Sequence, residues 1–334
     1  MKYLGSLVAL IAAAGLLAAC GSDSSDELTV YSGQHEQTMS LLTADFTRRT
    51  GIKIKVRRNS ESALANAILR EGSASPAEVF ITENPPALTV VERKGLFAKI
   101  PAATLAKTPA RYSATNHDWV GISARSAVLV YNPKLLKAAQ LPNKLTDLAG
   151  PQWKGKIGFA PAESDFQPLV TALDKLKGPA VVASWLKGMK RNSKLYDGNV
   201  AIVQAVNRGE IAAGLIDHYY YYRTRDEIGA AKTVAKLHYF APGDAGALVD
   251  VSGAAALKSA KHPKEAQRFL AYLVSKPAQE IIATSESYEY PIASGVLSKK
   301  DIKPFSELKP PKIGIDDLGD GRAALRQLED AGLL

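Results

Sequence analysis

The run Asp217-His218-Tyr219-Tyr220-Tyr221-Tyr222-Arg223 holds the side chains best suited to chemistry in this 334-residue chain. A phenolate is a hard, anionic oxygen ligand, but a free tyrosine has a pKa of about 10 and ligates poorly at neutral pH. A strongly charged cation reverses this by stabilising the deprotonated form. Ferric iron, small, trivalent and hard, suits such oxygen donors. The ordinary alternative is a set of half-buried aromatics whose hydroxyls stay wet. The stretch before the run, Ile211 to Ile216, is small and apolar and reads as a short buried strand. The residues after it, Arg223 to Lys232, are helix formers of mixed charge. The tyrosines are therefore expected at a strand-to-helix corner. Ligands bind near such strand ends in open α/β sheets, and two adjacent phenols can turn there toward one point.

Two further candidate donors follow predicted strands. Leu28 to Ser32 is strand-like, and Gly33-Gln34-His35 breaks it. A helix over 36–50, a strand over 52–56, a helix over 60–71 and a strand over 77–82 follow, the last ending at Glu83-Asn84-Pro85-Pro86. This βαβαβ alternation predicts a parallel sheet covered by helices. His35 and Glu83 then share one edge of a first lobe and face a crevice. The apolar run Ala124 to Asn132 reads as a crossover strand into a second lobe, which opens at Gln152 to Phe159. Helices over 166–176, 179–192 and 201–208 lead to the strand before the tyrosines. Ala247 to Ser252 reads as the return crossover, Ala266 to Ser275 as an amphipathic helix, and the tail turns helical at Gly321 to Ala331. No fixed-period repeat is present. The division expected is a signal over 1–19, a tether over 20–26, a first lobe over 27–125 plus about 247–299, and a second over about 126–246 plus 300–334.

The start of the chain carries an address. Met1-Lys2 is followed by an apolar segment from Leu4 to Ala19, the length of a signal-peptide core and short for a membrane span. It ends in Leu17-Ala18-Ala19-Cys20, with the one cysteine of the chain at the cleavage position. This pattern looks like a bacterial lipoprotein signal and implies a lipid on Cys20, with Gly21 to Asp26 as a flexible tether. A single cysteine excludes an internal disulfide. The composition, 46% hydrophobic and 22% charged, is that of a soluble globular protein. The net charge of +9 is scattered over predicted helices, so a solvated surface is expected and a nucleic-acid partner is not.

Taken together, the chain from about Leu28 onward resembles the ferric-iron-binding proteins of bacterial ABC importers, the bacterial transferrins. The resemblance rests on Val30-Tyr31-Ser32-Gly33-Gln34-His35, Val79-Phe80-Ile81-Thr82-Glu83, Trp119 to Arg125 with Val130-Tyr131-Asn132, Trp153 to Gly158, Gly214 to Tyr220, and Glu289-Tyr290-Pro291. It implies an α/β, two-lobed type II periplasmic-binding-protein fold joined by two crossover strands. It also implies a monomer that carries Fe3+ between the lobes and delivers it to a membrane permease. The family's His, Glu and two adjacent Tyr ligands fall on His35, Glu83, Tyr219 and Tyr220. Two phenolates and one carboxylate would match the charge of Fe3+, and a neutral imidazole adds a donor without adding charge. Metal binding across the lobes would favour the closed state.

Relatives often fill the remaining positions with a synergistic anion, phosphate or carbonate. Arg125 matches a family position that can hold one, and guanidinium suits bidentate oxyanion recognition. Phosphate-using relatives carry a small loop where this chain has Glu163-Ser164-Asp165, and an Asn where it has Asp217. Carboxylates repel phosphate, so carbonate near Arg125, water, or direct coordination by a nearby carboxylate is expected instead. Tyr221, Asp217, Glu163 and Asp165 are expected to line the cleft, and His218 to point into its lobe. The competing reading within the fold is a binding protein for thiamine, a polyamine or sulfate. An exported enzyme is disfavoured, since the chain has no H-E-x-x-H, G-x-S-x-G or P-loop motif.

Overall fold

A computed structural model describes residues 27–299 and 301–334. The signal and tether expected over 1–26, including Cys20, lie outside the described residues. Chain order begins β1 (Glu27–Ser32), α1 (Glu36–Thr50), β2 (Lys53–Arg58), α2 (Glu61–Glu71), β3 (Val79–Thr82), α3 (Pro85–Glu92), α4 (Ala102–Leu105) and β4 (Val120–Tyr131). It continues with β5 (Ile157–Phe159), α5 (Phe166–Lys177), α6 (Pro179–Asn192), β6 (Ser193–Leu195), α7 (Asn199–Arg208), β7 (Ala213–Asp217), α8 (His218–Ile228) and β8 (Lys236–His238). Last come β9 (Val249–Ala256), α9 (Pro263–Leu273), α10 (Lys276–Thr284), β10 (Tyr290–Pro291) and α11 (Arg322–Asp330).

The strands run in the order β2-β1-β3-β9-β4-β7-β5-β6. β1 pairs parallel with β2 and β3, and β5 pairs parallel with β6 and β7, so each lobe has the parallel sheet that βαβ alternation predicts. β4 and β9 run antiparallel through the middle. β4 changes partner within one unbroken strand: Ser126 is the last residue in register with β9, and Ala127 the first in register with β7. That seam joins the lobes. The outer strand β2 carries Lys53, Lys55, Arg57 and Arg58, charges that discourage edge-to-edge pairing with another chain.

Apolar cores cover the sheet. Leu28, Val30, Phe46, Ile81 and Phe269 fill one in the first lobe, and Leu129, Phe159, Val170, Trp185 and Leu215 fill one in the second. The tail is shared between them. Ile302, Ile315 and Leu318 pack with Phe80 and Leu88, whereas Ala324, Leu328 and Leu333 pack with Trp185.

Most predicted elements lie within a few residues of the observed ones, and two differences bear on the site. The helix expected from Arg223 begins at His218, so all four tyrosines are helical. Tyrosine is a middling helix former, and packing of these rings against apolar residues outweighs that preference. Pro85-Pro86, expected only to end the strand over 77–82, form the first turn of α3, where the missing N–H groups of proline cost nothing.

Candidate metal centre

Three strand ends converge. β1 ends at Ser32, and His35 stands one residue before α1 with an extended backbone. Its side chain caps nothing, which leaves the ring free to point into the cleft. β3 ends at Thr82, so Glu83 follows it directly, before the Asn84 cap of α3. β7 ends at Asp217, and Tyr219 and Tyr220 occupy the first turn of α8. Phenolates at that position would lie at the positive end of the helix dipole, a gain of about 0.3–1 kcal/mol each. A Cβ on Gly33 would stand 3.0 Å from the Glu61 Cβ, so glycine here lets α2 approach the site closely.

The four side chains meet. His35 Nδ1 lies 2.9 Å from Glu83 Oε1. The His35 ring meets Tyr219 edge-on at 5.1 Å, and the Tyr219 and Tyr220 rings lie 4.2 Å apart. His35 Nε2 and the Tyr219 hydroxyl are both buried without a hydrogen-bond partner. An unpaired buried polar group costs about 1–3 kcal/mol, and two of them belong to rings whose centroids lie 5.1 Å apart. Among the described residues, no three His, Cys, Asp or Glu side chains converge as a metal site. The donor set here has only two of that kind, and the rest of its chemistry is phenolic.

Burial pushes the Tyr219 phenol well above its usual pKa, and the Glu83 and Tyr220 charges add to the shift. Tyr220 is raised by burial and then by Asp165. Both phenols are therefore neutral when the site is empty. Burial alone would lower the His35 pKa, but its hydrogen bond and charge contact with Glu83 reverse this, and the net shift is upward. For Glu83 burial acts upward, while His35, Arg125 and Arg223 outweigh it and the net shift is downward. These shifts favour the charged forms of the His35–Glu83 pair and the neutral forms of the two phenols.

A layer of acids surrounds these residues. Glu61 accepts the backbone N–H groups of Glu83 and Asn84 at 3.0 Å each and the Asn84 side-chain amide at 2.9 Å. Burial, then the Glu83 charge, pushes its pKa up to about 7. Asp165 accepts from Asn199 Nδ2 at 2.9 Å, and burial, then Glu163, pushes it up to about 7. Glu163 is half-exposed, and its pKa is raised by burial and by the Glu83 charge. Asp217 is the buried cap residue of α8, yet its carboxylate caps nothing and lies 3.5 Å from Arg125 Nε. Tyr221 meets Tyr222 edge-on at 5.1 Å and has no close contact with His35 or Glu83.

Arg125 is 1% exposed; its Nη1 and Nη2 are engaged, while its Nε is buried without a hydrogen-bond partner. It donates to Asn84 Oδ1 at 2.8 Å, Ser252 Oγ at 3.1 Å and Glu289 Oε1 at 3.3 Å, and Asp250 lies 3.9 Å away. The neighbours of this guanidinium are the protein's own carboxylates, one amide and one hydroxyl. Sequence reasoning missed the partners Glu61, Asn84, Ser252 and Glu289. Of these, only the Glu289-Tyr290-Pro291 stretch carried any signal. Two cavities flank the four side chains. One of about 310 Å³ opens beside His35 and Arg223, and one of about 530 Å³ opens beside Glu61, Glu83, Ser164 and Arg322.

Comparisons with known proteins bear on the family of the chain. The family described as bacterial extracellular solute-binding protein matches residues 74–317. The chain is 40% identical over 329 residues to an Fe(3+)-binding periplasmic protein of Serratia marcescens, covering 98% of this chain and 97% of that one. It is 39% identical to the major ferric iron-binding protein of Neisseria meningitidis serogroup B, over 92% of this chain and 93% of that one. The crystal structure of iron-bound HitA from Pseudomonas aeruginosa superposes with a TM-score of 0.87 at 42% identity, covering 92% of this chain and 99% of that one. The chain therefore belongs to the bacterial extracellular solute-binding protein family, among its ferric-iron-binding members.

Proposed function

We propose that this protein captures Fe3+ in the cleft between its lobes and delivers it to the permease of an ABC importer. The ligands are His35 Nε2, the Glu83 carboxylate and the Tyr219 and Tyr220 phenolates. The observation that carries this reading is the meeting of those four side chains around two buried, partnerless polar atoms. Three anionic donors balance a trivalent cation, and hard oxygen donors suit ferric iron. A thiamine, polyamine or sulfate site would need none of these phenols near His35 and Glu83. The relatives named above as iron-binding support the same cargo.

Four protein donors leave two positions of an octahedron. Glu163, Asp165 and Asp217 disfavour phosphate there, and the bonds of Arg125 Nη1 and Nη2 to Ser252, Glu289 and Asn84 disfavour capture of carbonate by that pair. Water, or the Asp165 or Glu163 carboxylate, completes the sphere. Only a closed cleft presents donors from both lobes, so metal shifts the population toward closure, the shape a permease would read. The lobes divide at the Ser126/Ala127 seam and near Leu248. Export follows from the family and the apolar leader, and Cys20 carries the lipid that holds the monomer at a membrane.

Titration of the iron-free protein with ferric iron, followed by visible absorbance, tests the reading. A phenolate-to-iron charge-transfer band saturating at one equivalent, with or without carbonate and phosphate, is the expected result. A colourless loaded protein would overturn it.

A further inference from the structure

The histidine that opens α8 stands next to a proposed iron ligand, but its own ring faces away from the cleft. His218 is 0% exposed. Its Nδ1 accepts the backbone N–H of Ser126 at 3.1 Å, and its Nε2 lies 2.9 Å from the Tyr288 carbonyl oxygen. A backbone amide can only donate and a carbonyl can only accept. These two partners therefore fix the ring as the neutral tautomer with the proton on Nε2.

Both partners stand at unusual places. Ser126 is the last residue of β4 paired with β9, before the strand changes sheets. A buried amide at such a seam needs an acceptor from elsewhere, and the imidazole supplies it. Tyr288 has φ 59°, a left-handed conformation that bulky residues rarely adopt. From there its carbonyl meets His218 while its hydroxyl donates to Asp226, eight residues further along α8. Its ring stacks on Tyr222 at 5.1 Å, and Tyr290 stacks on the His218 ring at 4.5 Å. The first turn of α8 is thus tied to the interlobe seam on one side and to the 285–290 segment on the other.

We propose that His218 is a positioning residue for the iron site. By joining Ser126 N–H to the Tyr288 carbonyl, it sets the angle at which Tyr219 and Tyr220 meet the metal and couples that angle to the interlobe seam. The inference rests on the ferric-iron reading above.

Three variants test it. The His218→Asn side-chain oxygen can still accept from Ser126, the His218→Gln amide can still donate to Tyr288, and His218→Leu does neither. The readouts are the charge-transfer band, the rate of iron loss to a competing chelator, and the melting temperature of the iron-free protein. Buried partners that orient metal ligands commonly change affinity ten- to a hundred-fold, so iron loss about tenfold faster and a shifted band are expected in Asn and Gln. Leu should show the larger change, and should it fail to fold, the Asn and Gln variants decide the matter. Wild-type band and release rate in the folded variants, whatever their melting temperatures, would overturn the positioning role alone. A wild-type protein that gains no band would overturn the ferric reading and this role with it.

Discussion

Glu61 lies directly behind Glu83 and holds it by the main chain: one carboxylate accepts the amide of the residue that carries the other. Burial first, and then the Glu83 charge, raises the Glu61 pKa to about 7. Asp165 at about 7, Asp250 at about 6 and Asp217 well above the carboxylate range follow the same pattern. A carboxyl whose folded pKa is raised contributes stability at low pH that is lost as pH rises through the folded value. The iron-free protein should therefore melt at a higher temperature near pH 5.5 than near pH 8, and calorimetry across that window checks it.

Iron should show the opposite trend. Both proposed phenol ligands are protonated in the empty site, so loading must displace two protons, plus any held by His35. A pH-stat titration near pH 7 should record at least about two protons per iron, and conditional affinity should fall steeply on acidification. Release of less than one proton would mean that the phenols do not ligate.

Tyr219→Phe should separate stability from binding. It removes a buried hydroxyl that has no partner, so the iron-free protein should be unchanged or about 1 kcal/mol more stable in urea. Iron affinity should drop by more than about a hundredfold, beyond the usual loss for a residue that only orients a ligand. Tyr220→Phe should give a comparable loss of iron and of band intensity, whereas Tyr221→Phe should leave both intact.

Arg125→Ala should cost about 3–5 kcal/mol, because it leaves Glu289, Asp250 and Asp217 buried without their cation. Wild-type iron binding should not respond to bicarbonate, since Nη1 and Nη2 of the guanidinium that would hold it already donate to Ser252, Glu289 and Asn84. A tenfold bicarbonate effect on affinity would show that the fork opens for an anion.

Much of this was legible in the sequence because strand ends are legible. Apolar runs that stop at Ser32, Thr82 and Asp217 put His35, Glu83 and the tyrosines just past strand ends. The partners of Arg125 were not legible. Asn84, Ser252 and Glu289 lie 41, 127 and 164 residues from Arg125, and no periodicity encodes such pairings. The start of α8 was misplaced for a related reason, since the rings settle into a helix by packing rather than by intrinsic preference.

One strand, β4, is a full member of both sheets. Pulling it out would strip a hydrogen-bonded neighbour from each at once, so neither half can melt and leave the other intact. Despite its separate apolar cores, the molecule should denature in a single cooperative transition.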